Sequence, residues 1–373
     1  MISELQHAAD HLRASMHSAT TGLVGREQLA ELIVLAAVAQ EHLLVVGPPG
    51  TAKSAVVRRV AQTLGGNYFE YLLGRFTEPS ELFGPVNLQK LREGTVETDV
   101  SGMLPEADIA FLDEVFLGST AILNTLLGIL NERRFRRGHT QLHCPLRVCV
   151  AAANGLPDDE ALAAFGDRFL IHLFVAPVAD DQLEAMLAGG WSAAQHVAPT
   201  PGGLASLDLL SASVKQVDMS AAMPALVNAI RALRAAGIQL SDRRIVKSQW
   251  LIAAAAVLAG RLQAQEADIW PLLYVLPTQP LQNQAREVLR DLIALSHNPT
   301  LYSACEQAVQ QPLSRTTRLQ NAAQACLSPA AASPAQDVEA LLREIDANFS
   351  IEQLPESLRT LRSGLVERLA AVA

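Results

Sequence analysis

Eight residues, Gly47-Pro48-Pro49-Gly50-Thr51-Ala52-Lys53-Ser54, follow directly on the apolar run 43–46 and constrain this chain more than any other part of it. A buried strand that ends in a Gly-rich turn and opens into a helix aims several backbone N–H groups and the positive helix end at one point, which makes a phosphate cradle. In that reading Lys53 supplies a point charge at the β/γ-phosphates and Ser54 a hydroxyl for Mg²⁺. Ala52 stands where the pattern has its last glycine, and alanine is the smallest residue with a Cβ. The competing reading is a plain Gly/Pro connection, in which a lysine followed by a serine has little structural use.

From residue 29 to about 175 helix and strand signals alternate. Short apolar runs at 43–46, 68–72, 109–112, 146–152 and 169–175 are separated by helical spacing at 26–39, 54–64 and 119–133. That alternation predicts an α/β fold, a parallel sheet with helices on both faces. Segments 84–102 and 134–145 read as inserted hairpins around Gly94 and Gly138. Beyond Pro177 the pattern turns helical and Ala/Leu-rich, broken by a Pro/Ala/Ser linker at 327–336. The expected organisation is an α/β nucleotide-binding core over residues 1–177, an all-α lid over 178–277 and a C-terminal helical domain over 278–373.

Composition narrows the function classes. A balance of 29 Lys+Arg against 38 Asp+Glu gives −9, which argues against a surface built for nucleic acid. Arg133, Arg134, Arg136 and Arg137 keep a local basic patch open. Cys144, Cys149, Cys305 and Cys326 form no C-x-x-C pair, so neither a disulfide framework nor a thiolate metal site is expected, and His139, His143 and Cys144 read as a surface hairpin. Residues 1–16 lack the apolar core of a signal peptide, and the longest apolar stretches, 32–39 and 251–259, are too short for a membrane span. A cytoplasmic location is expected.

The run Ile109-Ala110-Phe111-Leu112-Asp113-Glu114 ends in two carboxylates. Beside the clamp strand, Asp113 is placed to hold Mg²⁺ through its water shell and Glu114 to polarise an attacking water. Carboxylates also collect at helix N-termini for electrostatic reasons. Ala151-Ala152-Ala153-Asn154 closes another strand with an amide, either a γ-phosphate contact or a turn residue. Arg168, just before the last strand, is either a finger toward a neighbouring subunit's γ-phosphate or a surface ion-pair residue. Arg243, at the start of a later helix, is either folded over the bound nucleotide or likewise on the surface.

Taken in order, these motifs resemble the AAA+ ATPases, in particular the MoxR branch and its RavA-like group. The match runs through Gly47 to Ser54, Phe69-Glu70-Tyr71-Leu72, Arg75-Phe76-Thr77-Glu78-Pro79, Glu81-Leu82-Phe83-Gly84-Pro85, Leu104-Pro105-Glu106-Ala107, Ala121-Ile122-Leu123-Asn124 and Asn131-Glu132-Arg133, over roughly residues 20 to 300. The resemblance implies ATP and Mg²⁺ as ligands, a P-loop core with an all-α lid, and a homo-hexameric ring with ATP at subunit interfaces. It makes Asn154 the first sensor, Arg168 the trans-acting finger with Arg133 as the alternative, and Arg243 the second sensor. It further implies chaperone-like remodelling together with a von Willebrand factor A domain protein. A nucleic-acid motor and a nucleotide-binding scaffold without turnover are the alternatives. RavA-like proteins interrupt their C-terminal helical domain with a β-rich arm; here only the linker stands in its place, so helices 281–325 and 337–372 are expected to pack together.

Overall fold

A computed structural model describes residues 2–192 and 202–309, then 323, 326, 327, 338, 342, 345 and 356–372. The chain opens with α1 (Ile2–Thr20) and α2 (Glu27–Val38), then β1 (Leu43–Val46), α3 (Lys53–Leu64) and β2 (Tyr68–Leu72). Two short helices, α4 (Pro79–Phe83) and α5 (Leu88–Arg92), precede β3 (Ile109–Asp113), α6 (Thr120–Glu132) and the hairpin β4 (Arg134–Arg137) and β5 (Thr140–His143). Next come β6 (Val148–Ala153), α7 (Glu160–Gly166), β7 (Ile171–Phe174), α8 (Leu183–Ser192), α9 (Gly203–Val214), α10 (Met223–Ala235) and α11 (Asp242–Leu258). The remaining helices are α12 (Gln279–Val288), α13 (Arg290–Ile293), α14 (Tyr302–Val309) and α15 (Glu356–Val372).

Five strands form one all-parallel sheet in the order β2-β3-β6-β1-β7. Alternate side chains serve two cores, as a sheet covered on both faces requires. Leu43, Val45, Ile109, Phe111, Val148 and Val150 meet α1, α2, α3, α9 and α11 on one face. Leu44, Ala110, Leu112, Cys149 and Ala151 meet α6, with Phe83, Phe135 and Phe165, on the other. In register, Val46 lies opposite Ala153 on one side and Phe174 on the other, so Gly47, Asn154 and Val175 emerge side by side at one rim.

Residues 2–16 belong to helix α1, whose Leu5, Ala8, Leu12, Met16 and Ala19 make one buried stripe. One sequence expectation changes. Segment 84–102 is not a hairpin: Asn87 accepts from the Gln89 and Lys90 amides and starts α5, leaving a single antiparallel bridge, Val86 to Thr98. One compact unit comprises Met1–Ala176 and Gln195–Val309, because α12, α13 and α14 bury Ala285, Leu289, Ile293, Ala304 and Ala308 in the core shared with α2 and α11. The second unit comprises Pro177–Ala194 and Gln310–Ala373, and in it Ala323, Val338, Leu342, Ile345, Leu358 and Leu365 pack together. Of the linker at 327–336, all but Leu327 lies outside the described residues.

The hairpin at 134–145 is present, and it is joined to the other insertion. Thr98 N donates to Thr140 Oγ1 at 2.7 Å, His139 N to Val96 O at 2.9 Å and Arg137 Nη1 to Gly84 O at 3.3 Å. Phe83 stacks on Phe135 at 5.6 Å between ring centroids.

Candidate functional site

The clamp is built by the backbone of one turn. Gly47 N donates to Ala153 O at 3.1 Å, and a Cβ at Gly47 would lie 2.3 Å from Val175 O, so only glycine fits between the two strand ends. Gly50 and Ala52 both hold positive φ, 80° and 62°. The glycine preferred at position 52 is thus a matter of torsion: alanine adopts the left-handed region there at about 1–2 kcal/mol. Thr51 Oγ1 donates to Pro48 O at 2.9 Å and closes the turn. Lys53, 7% exposed, turns its ammonium back to Gly47 O at 2.6 Å and Pro48 O at 3.0 Å. Burial lowers its pKa, the Asp113 and Glu114 carboxylates oppose that, and Arg26 adds to it. Lysine and both carboxylates therefore face one space. Ser54 lies in the first turn of α3.

Asp113 ends β3, and its Oδ1 accepts from the Glu114 amide at 3.0 Å. Glu114 stands at φ 51°, a left-handed torsion for a non-glycine residue at the point where chemistry is expected. Asn154, one residue past β6, donates through Nδ2 to Glu114 Oε1. The structure thus brings together clamp, acidic pair and amide at the carboxyl rim of the sheet, the general place for ligands in open parallel sheets. Among the described residues no group of three or more His, Cys, Asp and Glu could hold a metal by itself. One hydroxyl and one or two carboxylates are the donors used for Mg²⁺ carried on phosphates.

The arginines lie elsewhere. Arg168 precedes β7 and Arg243 opens α11, and the two are close enough that Arg168, after burial, lowers the pKa of Arg243. Arg243 Nη2 donates to Asn131 Oδ1 at 2.6 Å, at the end of α6. Neighbouring Arg244 is 3% exposed; it binds Asp167 Oδ1 at 2.5 Å and the carbonyls of Phe169 and Leu170, both at 3.1 Å, and of Val275. Lys247 reaches Glu41 at 2.6 Å. All of this is at the amino end of the sheet, where Leu43 pairs with Ile171. The two rims are roughly 15 Å apart at about 3.3 Å per strand residue. Arg243 therefore does not fold over its own clamp, because α11 is pinned to the opposite rim.

Arg133 is also corrected as an alternative finger. Its guanidinium donates to Leu130 O and Gln40 O, both at 2.8 Å, and contacts His42, so it braces β1 against α6. The rest of the basic run is partly engaged too, Arg136 with Glu132 at 3.3 Å and Arg137 with Gly84 O. Sequence reasoning passed over Asn131, Arg244 and Arg26. The first two sat in motifs already noted for other residues, and Arg26 read as an ordinary helix start.

Fold and site together define a P-loop α/β nucleotide-binding protein of the AAA+ kind. A family model described as the MoxR domain in the MoxR-vWA-beta-propeller ternary systems matches residues 10–212, and an AAA lid domain model matches residues 222–291. An uncharacterized protein of Methanocaldococcus jannaschii is 33% identical over 276 residues, which is 74% of this chain and 71% of that protein. Chaperone MoxR1 of Mycobacterium tuberculosis is 25% identical over 173 residues, 45% of either chain. A crystal structure of a candidate ATPase from Cytophaga hutchinsonii shares the fold, with a TM-score of 0.61 at 16% identity over 79% of this chain and 97% of that one. The chain belongs to the MoxR family of AAA+ ATPases.

Proposed function

We propose that this chain binds ATP with Mg²⁺ at 47–54, hydrolyses it, and works as a head-to-tail ring, a homo-hexamer by family analogy, in which Arg168 and Arg243 complete the neighbouring subunit's site. One observation carries the reading: Lys53, Asp113, Glu114 and Asn154 share one rim, whereas Arg168 and Arg243 sit together at the other. A site with all its parts then needs a second copy. Ser54 and Asp113 would hold Mg²⁺, which when bound offsets phosphate charge. Lys53 trades its loop carbonyls for phosphate oxygens. Asn154 holds Oε1 of Glu114, so Oε2 is the oxygen that takes the hydrogen of the attacking water. The matching family model describes ternary systems with a vWA component, and one relative is a chaperone; both support remodelling of a protein client with a von Willebrand factor A domain partner. The free cysteines support a reducing, cytoplasmic setting, and no described helix is long and apolar enough to cross a membrane.

Steady-state ATPase and nucleotide-binding assays on purified protein test this. Lys53→Ala should lose nucleotide binding. Glu114→Gln should bind ATP while kcat falls about 10²–10⁴-fold, the range for a general base. Turnover that survives Glu114→Gln would refute the assigned role.

A further inference from the structure

Arg26 lies outside every role described so far. It directly precedes α2, is 7% exposed, and meets backbone oxygens on three sides. Nε donates to Thr51 O at 2.8 Å, Nη1 to Gly25 O at 2.8 Å and Nη2 to Ala176 O at 3.1 Å. Thr51 is in the clamp, and Ala176 is the second residue past β7, beside the Val175 carbonyl that crowds Gly47. A single guanidinium thus spans the clamp and the exit of its neighbouring strand.

The bond to Thr51 has a directional consequence. In a trans peptide the C=O and the following N–H point in opposite directions. With the Thr51 carbonyl held by Arg26, the Ala52 N–H points away from that guanidinium. The flanking residues Gly50 and Ala52 both hold positive φ, and at Ala52 the Cβ opposes that torsion, so this peptide needs an external hold. Arginine suits the task because its planar fork presents several fixed donors, which a lysine lacks.

We propose that Arg26 is a positioning residue of the phosphate clamp, fixing the Thr51–Ala52 peptide so that its N–H faces the nucleotide and tying the clamp to Ala176. This rests on reading 47–54 as a nucleotide site. Calorimetric titration with ADP and with a non-hydrolysable ATP analogue tests it in wild type, Arg26→Gln, Arg26→Lys and the double variant Arg26→Gln/Ala52→Gly. Both Arg26 variants should bind both nucleotides about tenfold more weakly, as expected for loss of a charged hydrogen bond. Glycine at 52 accepts positive φ without the guanidinium, so the double variant should recover most of that loss. Wild-type affinity in Arg26→Gln would overturn the proposal. So would a loss that Ala52→Gly leaves unrecovered, since Arg26 would then only stabilise the fold near α2. Wild-type protein that binds neither nucleotide would instead bring down the clamp reading, and this inference with it.

Discussion

Glu31 is a residue whose chemistry the apolar pattern of its helix conceals. It sits on α2 among Leu29, Ala30, Leu32 and Ile33 and is 8% exposed. Its two oxygens accept from Ser303 N at 3.1 Å and Ala304 N at 2.6 Å, at the start of α14. Burial pushes its pKa from 4.5 to about 7, against the pull of those amides. The folded protein thus holds a proton more tightly than the unfolded chain does. The stabilisation is complete below pH 4.5 and is lost as pH rises through about 7. Urea unfolding at pH 5 and pH 8 should differ by on the order of 3 kcal/mol from this group, and Glu31→Gln, which does not titrate, should flatten that difference. An undiminished slope in the variant would refute the assignment. Sequence reading found the strand-end residues because each terminates a short apolar run. Glu31 and Arg26 escaped it because their partners lie 272 and 273, or 25 and 150, residues away along the chain.

Among the elements, α11 is the one whose placement decides the site. Arg243, Arg244 and Lys247, all within its first two turns, reach Asn131, Asp167 and Glu41 on the core. Its apolar run 251–258 is buried, but hydrophobicity carries no direction, so the rim it would meet was not legible. The two insertions repeat the lesson at smaller scale. Gly138 marked the β4–β5 turn correctly, whereas in 84–102 a five-residue helix with an Asn cap displaced the hairpin expected from Gly94. Arg244→Ala should cost about 3–5 kcal/mol, since it strips Asp167 and three carbonyls of a buried donor. Lysine should not restore it, because one ammonium cannot span those acceptors. Denaturant unfolding measures both; Arg243→Ala, half-buried with one side-chain bond, should stay within about 0.5 kcal/mol of wild type.

For the whole molecule, the strand order placed the clamp, the acidic pair and the amide on one rim as the alternating pattern predicted, since each strand end is set by its own short run. Packing assigns α12–α14 to the larger unit, where Ala285, Leu289, Ile293, Ala304 and Ala308 are buried. Separation of Arg168 and Arg243 from the clamp has a consequence for assembly. A contact that joins one rim to the opposite rim of a second copy is heterologous, and such contacts give rings where the rotation closes and open filaments where it does not, rather than two-fold dimers. Each shared site would then take Glu114 from one subunit and Arg168 from the next. Glu114→Gln and Arg168→Ala should each be nearly inactive alone, because every interface lacks one part. Mixed in equal amounts and allowed to exchange, they should regain activity, since about a quarter of the interfaces in a randomly mixed ring pair an intact Glu114 with an intact Arg168. Steady-state ATPase over a range of mixing ratios should therefore pass through a maximum near equal proportions. Activity that never exceeds the weighted mean of the two parents would remove Arg168 from the neighbour's site.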